Sequence, residues 1–160
     1  GFRRQAVLFV QERGPDQSLR LRRQQTLELS DGRPLDDRVV QRGVHWTESF
    51  RAVDWNRDGL QDLIYSVAGS HHGTLEGGSI YLLRNCGTRT HAVFASPQTL
   101  RCFGEPIRIT NHGPHPWPGD FNGDGAPDLI ACVEWSVYPY YCHAALMMPK
   151  RPEYTLELLR

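Results

Sequence analysis

Residues 54–62, Asp-Trp-Asn-Arg-Asp-Gly-Leu-Gln-Asp, and residues 120–128, Asp-Phe-Asn-Gly-Asp-Gly-Ala-Pro-Asp, share one pattern, DxNxDGxxD. Oxygen-bearing side chains fall at positions one, three, five and nine: Asp54, Asn56, Asp58 and Asp62 in the first copy, and Asp120, Asn122, Asp124 and Asp128 in the second. Position six is Gly59 or Gly125, which permits the sharp turn that brings these groups together. The carbonyl of position seven, Leu60 or Ala126, is then free to point inward. Calcium, a hard cation, takes such a mixed set of carboxylate, amide and carbonyl oxygens. The spacing therefore predicts two calcium sites.

An EF-hand loop begins in the same way but needs a glutamate at position twelve and a helix on each side. Position twelve here is Tyr65 in one copy and Ala131 in the other. Both loops run directly into short apolar stretches, Asp62-Leu-Ile-Tyr and Asp128-Leu-Ile-Ala, which have strand character. These are strand-loop-strand sites. Two ordinary turns that bind nothing would also contain such residues, but the recurrence of one spacing, each time followed by Leu-Ile, argues against coincidence.

The totals exclude several classes of function. The 160 residues contain 39% hydrophobic and 22% charged residues, the composition of a single globular domain with a core. Eighteen basic residues balance eighteen acidic ones, so there is no electrostatic footprint for nucleic acid or an anionic membrane surface. No apolar run approaches the roughly 20 residues of a membrane span, and no signal-peptide pattern opens the chain. Gly1 in the place of a methionine suggests a processed or excised product. Seventeen of the basic residues are arginine, ten of them before Asp54. Arginine forks carboxylates and sulfates in a bidentate manner, which would suit an acidic polysaccharide, although a GC-rich coding sequence gives the same bias.

Residues 6–12 have strand character, and Gly14-Pro15-Asp16 supplies a turn. Across residues 19–29 apolar residues fall on odd positions at both ends, Leu19 and Leu21, then Leu27 and Leu29, which predicts a half-buried strand. Together these segments form a hairpin. Short strands are expected at 50–53, 63–67, 79–84 and 93–102, the last interrupted by Pro97, which only an edge strand tolerates. Four short antiparallel strands make a blade. The cycle begins again with strands at 105–110, 129–133 and 140–147, and a last one from Tyr154.

The loops set the repeat length, since Asp54 and Asp120 are 66 positions apart. A second marker agrees: Thr26-Leu-Glu-Leu, Thr99-Leu-Arg-Cys and Thr155-Leu-Glu-Leu take the fourth-strand position of successive units. The chain thus divides into the second half of a blade over residues 1–44, a full blade with the first loop over 45–104, and a blade with the second loop over 105–160. The expected fold is all-β, about two and a half four-stranded blades of an incomplete β-propeller.

Four short strands with DxNxDGxxD between the first and second, followed by Asp-Leu-Ile, resemble the FG-GAP or VCBS repeat of calcium-binding β-propellers. Integrin α-subunit heads and many secreted bacterial proteins carry this repeat. The resemblance implies calcium held by Asp54, Asn56, Asp58 and Asp62 with the Leu60 carbonyl, and by Asp120, Asn122, Asp124 and Asp128 with the Ala126 carbonyl. It also implies an extracellular, cell-surface or periplasmic setting. A closed propeller takes about four to eight blades, so the remaining blades are expected from a longer parent chain or from neighbouring copies pairing edge to edge.

Three functions fit these observations. The first is a calcium-stabilised propeller segment for binding or adhesion, with a polysaccharide or an extracellular protein as ligand. The second, which the resemblance implies because some propeller proteins similar to this one are polysaccharide lyases, is part of a polysaccharide lyase or other carbohydrate-active enzyme. Its candidates are His112, His115, Tyr140 and His143, beside Trp117, Trp135, Tyr138 and Tyr141, because a pyranose stacks on aromatic rings and a His or Tyr can serve as general base. The plainer role for this segment is that Pro114, Pro116 and Pro118 stiffen a connection while the aromatics fill the space between blades. The third is a structural subunit that assembles through open blade edges. Cys86, Cys102, Cys132 and Cys142 lack CxxC spacing. A Cys132–Cys142 disulfide, zinc bound by Cys86 or Cys102 with His91 or His143, and free thiols are all compatible with the sequence.

Overall fold

The computed structural model of the chain describes residues 4–40, 47–68, 78–102, 104–109 and 115–131. Their strands are, in chain order, β1 (Val7–Arg13), β2 (Leu19–Thr26), β3 (Glu28–Leu29), β4 (Thr47–Val53), β5 (Asp62–Ala68), β6 (Gly78–Leu83) and β7 (Val93–Phe94). There follow β8 (Gln98–Thr99), β9 (Arg101–Cys102), β10 (Glu105–Pro106), β11 (Arg108–Ile109), β12 (Trp117–Gly119) and β13 (Asp128–Ile130). Among the described residues there is no helix, and no sheet closes on itself. The fold is all-β with the arrangement of an incomplete propeller.

The centre is the antiparallel sheet β4-β5-β6. Its ladder runs from Val53 opposite Asp62 to Thr47 opposite Ala68, and from Leu63 opposite Leu83 to Val67 opposite Ser79. Successive side chains of a strand face opposite ways. Leu63, Tyr65 and Val67 therefore share one face, where they cluster with Leu27, Leu29, Leu35, Leu83 and Phe94. Ile64 takes the other face with Ile80 and Leu82, against which Val53, Trp55, Leu100, Leu129 and Ala131 pack. Both faces of β5 are covered, which is why Leu63, Ile64 and Tyr65 are consecutive apolar residues instead of alternating with polar ones. Phe50 stacks on Tyr65 with ring centroids 4.8 Å apart.

The fourth strand position is built differently from the single strand expected over 93–102. Pro97 has no N–H to give a ladder, and the segment breaks into three pieces. β7 pairs with β3 in parallel, Leu29 opposite Phe94. β8 pairs with β6, and the Leu100 N–H donates to the Ile80 carbonyl. β9 then turns away from the sheet through Gly104, whose φ of 82° suits glycine, and pairs with β10. The Ile107 N–H returns to the Leu100 carbonyl, and β11 rejoins β6 with Arg108 opposite Ser79. Residues 105–109, expected to open the next cycle, thus make their hydrogen bonds with the sheet of the first loop.

At the amino-terminal end β1 and β2 form the expected hairpin, closed by a turn in which Asp16 accepts hydrogen bonds from the Ser18 N–H and hydroxyl. The pattern over 19–29 is not one half-buried strand. β2 ends at Thr26, because the Leu27 N–H goes to Ala6 and its carbonyl accepts from Leu35. β2 itself is largely exposed. Phe9, Leu19 and Leu21 share one hairpin face by register and remain 53%, 60% and 72% accessible, since no described strand covers that face. The residues that follow the hairpin, Leu27, Leu29 and Leu35, are the buried ones.

β12 and β13 form the second hairpin, with Gly119 opposite Asp128 and Trp117 opposite Ile130. In β4 and β5 the corresponding pairs are Val53 with Asp62 and Arg51 with Ile64. The two hairpins thus repeat one register at the spacing of the motif. The strands expected at 140–147 and from Tyr154, and the remainder of that at 129–133, lie outside the described residues.

Candidate metal centre

Each acidic loop joins two strands of a hairpin, and its carboxylates organise the turn. In the first loop Asp54 accepts from the Asp58 N–H at 3.0 Å and the Gly59 N–H at 2.9 Å. Asp58 accepts from the Leu60 N–H at 2.9 Å and the Asn56 amide at 2.7 Å. In the second loop Asp120 accepts from the Gly123 and Gly125 N–H groups, both at 2.8 Å. Asp124 accepts from the Ala126 N–H at 2.7 Å and the Asn122 amide at 3.0 Å. In both copies position one accepts from the N–H of position six, and position five accepts from the N–H of position seven and the amide of position three. The second N–H bound by position one comes from position five in the first loop and from position four in the second.

Position nine closes each loop. Asp62 is fully buried and accepts from the Trp55 N–H at 3.0 Å and from the Asn85 N–H at 2.7 Å. Asp128 accepts from the Phe121 N–H at 3.0 Å. Asn85 is a residue that the motif alone does not point to. Its side-chain amide donates to the Gln61 carbonyl, and its Oδ1 accepts from the Gly87 and Val93 N–H groups. The first loop is thereby tied to the end of β6.

The glycines at position six have φ of 83° in both loops, a left-handed conformation costly for other residues. At Gly59 a β-carbon would also meet the Arg89 guanidinium at 2.9 Å. Position four is left-handed as well, occupied by Arg57 with φ of 61° and by Gly123 with φ of 80°.

Electrostatics separate the acidic residues. Asp58 is held below the ordinary carboxylate range by the Asn56 amide and the Leu60 N–H, with the nearby charge of Arg84 adding to them; the Arg84 guanidinium lies 3.8 Å from its carboxylate. Asp124 is lowered by the Ala126 N–H and the Asn122 amide, with Arg57 contributing across the gap between the loops. Both carboxylates therefore stay ionised at neutral pH, the state a cation needs.

Among the described residues no three His, Cys, Asp or Glu side chains converge on one point as the loops stand. The fit to a cation rests on a different group. Asn56 Oδ1 is buried and has no hydrogen-bond partner, whereas its counterpart Asn122 Oδ1 accepts from the Asp124 N–H at 2.9 Å. A buried amide oxygen without a partner is costly, and a hard cation at position three of an acidic loop would satisfy it. The donor set, carboxylate and amide oxygens with no sulfur or imidazole, matches calcium in kind.

Most of the other sequence candidates fall outside the described residues. His115 is exposed; His112, Tyr140 and His143, with Trp135, Tyr138 and Tyr141, lie outside the described residues. Cys86 and Cys102 are exposed free thiols, and Cys132 and Cys142 lie outside the described residues. His91 stands 3.6 Å from Glu28. Arg51, on β4, places its guanidinium 5.4 Å from the centre of the Trp117 ring on β12.

Comparison with curated proteins and with solved structures gives no match. Comparison with protein families gives one that begins at the first residue of the first loop and ends just after β13: residues 54–131 are matched by the FG-GAP-like repeat. The two acidic loops and the sheet between them therefore form an FG-GAP-like repeat segment of a β-propeller type.

Proposed function

We propose that this chain is a calcium-stabilised propeller segment that serves extracellular binding or adhesion. The observation that carries the reading is the buried Asn56 Oδ1, unpartnered inside an acidic loop whose counterpart repeats its register. Calcium at each loop would supply the positive charge that three aspartates per loop call for, and would fix the turn between the first two strands of a blade. Asp54, Asn56, Asp58, Asp62 and the Leu60 carbonyl hold the first ion. Asp120, Asn122, Asp124, Asp128 and the Ala126 carbonyl hold the second.

The ligand surface lies beside the second loop, where the rings of Trp117 and Phe121 are 60% and 51% accessible. Flat apolar rings flanked by polar groups suit the apolar face of a sugar as well as a protein side chain. The open sheet faces are covered by further blades, from a longer polypeptide or from neighbouring copies.

The ion is tested by thermal unfolding with calcium and with a chelator. Binding to the folded chain alone stabilises it by about 2.7 kcal/mol per site at a hundredfold excess over Kd, which raises Tm by several degrees. Asp58→Ala and Asp124→Ala each remove about half of that rise. Identical melting curves with calcium and with chelator would overturn the reading.

A further inference from the structure

Position four of the motif is where the two loops differ in residue type while sharing an unusual backbone conformation. Both residues there adopt left-handed backbone, Gly123 at φ 80° and Arg57 at φ 61°. Glycine does this without a steric cost, and arginine does not. A strained residue persists where its surroundings hold it, and such places concentrate at functional sites. The first loop keeps a long cationic side chain where the second has none.

That side chain leaves its own loop. The three terminal atoms of the Arg57 guanidinium lie 3.6 to 3.8 Å from the point where a β-carbon on Gly125 would sit. Gly125 is position six of the second loop, and its N–H donates to Asp120. Trp55, next to the first ligand position, packs into the same cluster as Leu129 and Ala131, which follow the second loop. Loops 66 residues apart in sequence thus meet, and Arg57 is the charged group between them.

We infer that Arg57, although mounted on the first loop, sets the cation affinity of the second, so that the two sites are electrostatically coupled through one side chain. This rests on the calcium reading and extends it. A guanidinium lying against the rim of the second loop repels a divalent ion entering it, and relieves part of the repulsion among Asp120, Asp124 and Asp128 when no ion is there. The coupling runs through space, so it depends on charge at position 57 and on ionic strength.

The test is a calcium titration followed by the amide resonances of Gly59 and Gly125, which report the two loops separately in the intact chain. Wild type is compared with Arg57→Asn, which tolerates left-handed backbone but lacks the charge, and with Arg57→Lys, which keeps it. In Arg57→Asn at low salt the Gly125 midpoint is expected to fall by about three- to tenfold, with a smaller change at Gly59. Arg57→Lys restores the wild-type midpoint, and the difference shrinks at molar salt, where the screening length is about 3 Å. A Gly125 midpoint that responds to calcium but is the same in wild type and Arg57→Asn overturns the coupling and leaves the calcium reading standing. So does a Gly59 midpoint that moves as far as that of Gly125. If neither amide responds to calcium in wild type, both readings fall together.

Discussion

Asp62 and Asp128 hold the same place in the motif, yet their surroundings give them different weight. Asp62 is buried and accepts from two backbone N–H groups, one of them on Asn85, 23 residues away. Asp128 is half-buried and accepts from the neighbouring loop N–H of Phe121. Removing a charged acceptor leaves each buried N–H without a partner, at about 1–3 kcal/mol apiece. Asp62→Ala should therefore cost about 2–5 kcal/mol in urea unfolding with chelator present, and Asp128→Ala about 1–2 kcal/mol. Equal losses would mean that the Asn85 contact contributes nothing. The motif letters marked both aspartates as ligand positions of an acidic loop, and their role as acceptors that close it shows only in the structure. Asn85 was not legible, because a lone asparagine in a turn sequence has many local uses and only the fold brings its N–H to Asp62. Arg57 was equally hidden: its left-handed backbone shows in the structure, and its neighbour across the gap is 68 residues further along the chain.

Hairpins explain where the pattern of apolar residues was informative and where it misled. The Leu-Ile pair after the first loop marks a strand whose two faces are both covered, with Leu63 and Ile64 in different clusters on opposite sides of one sheet, whereas in the second pair Leu129 packs inward and Ile130 stays 56% accessible. Over 19–29 the odd-numbered leucines also imply strand, which is right for β2. Period two reports which residues share a face, and it is silent on whether anything covers that face. Leu21 is 72% accessible on the hairpin, while Leu35, in a segment with no such alternation, is fully buried. The two leucines make a direct test. Leu35→Ala should destabilise by about 2–5 kcal/mol, as core truncations do, and Leu21→Ala should stay within about 0.5 kcal/mol. Denaturant unfolding of the two variants decides it, and a large loss from Leu21→Ala would mean that the hairpin face is covered in solution. The break at Pro97 follows the same logic at the other edge: the missing N–H was visible in sequence, whereas the excursion through Gly104 and the return at Ile107 depend on pairing with β6.

At the scale of the whole molecule, the central sheet is a slab between two layers. The segment after the first hairpin lies on one face, with Leu29 opposite Phe94 in the β3–β7 pair. The second hairpin lies on the other face through Leu129 and Ala131. Stacking of this kind lets each repeat bury the face of its neighbour, so stability accumulates from adjacent layers. If the slab is stiff, damage on one face is not felt on the other. Leu29→Ala and Leu129→Ala should then add to within about 0.5 kcal/mol, as independent sites do. Leu29→Ala combined with Phe94→Leu should depart from additivity by more than that, because the two residues face each other across one pair of strands. Urea unfolding of the single and double variants measures both couplings under one condition. A cross-face coupling as large as the same-face one would mean that the sheet bends as a unit and that the two layers fold as one cooperative core. Near-zero coupling across the sheet, with the same-face coupling intact, would instead fix each layer as a separate unit of stability.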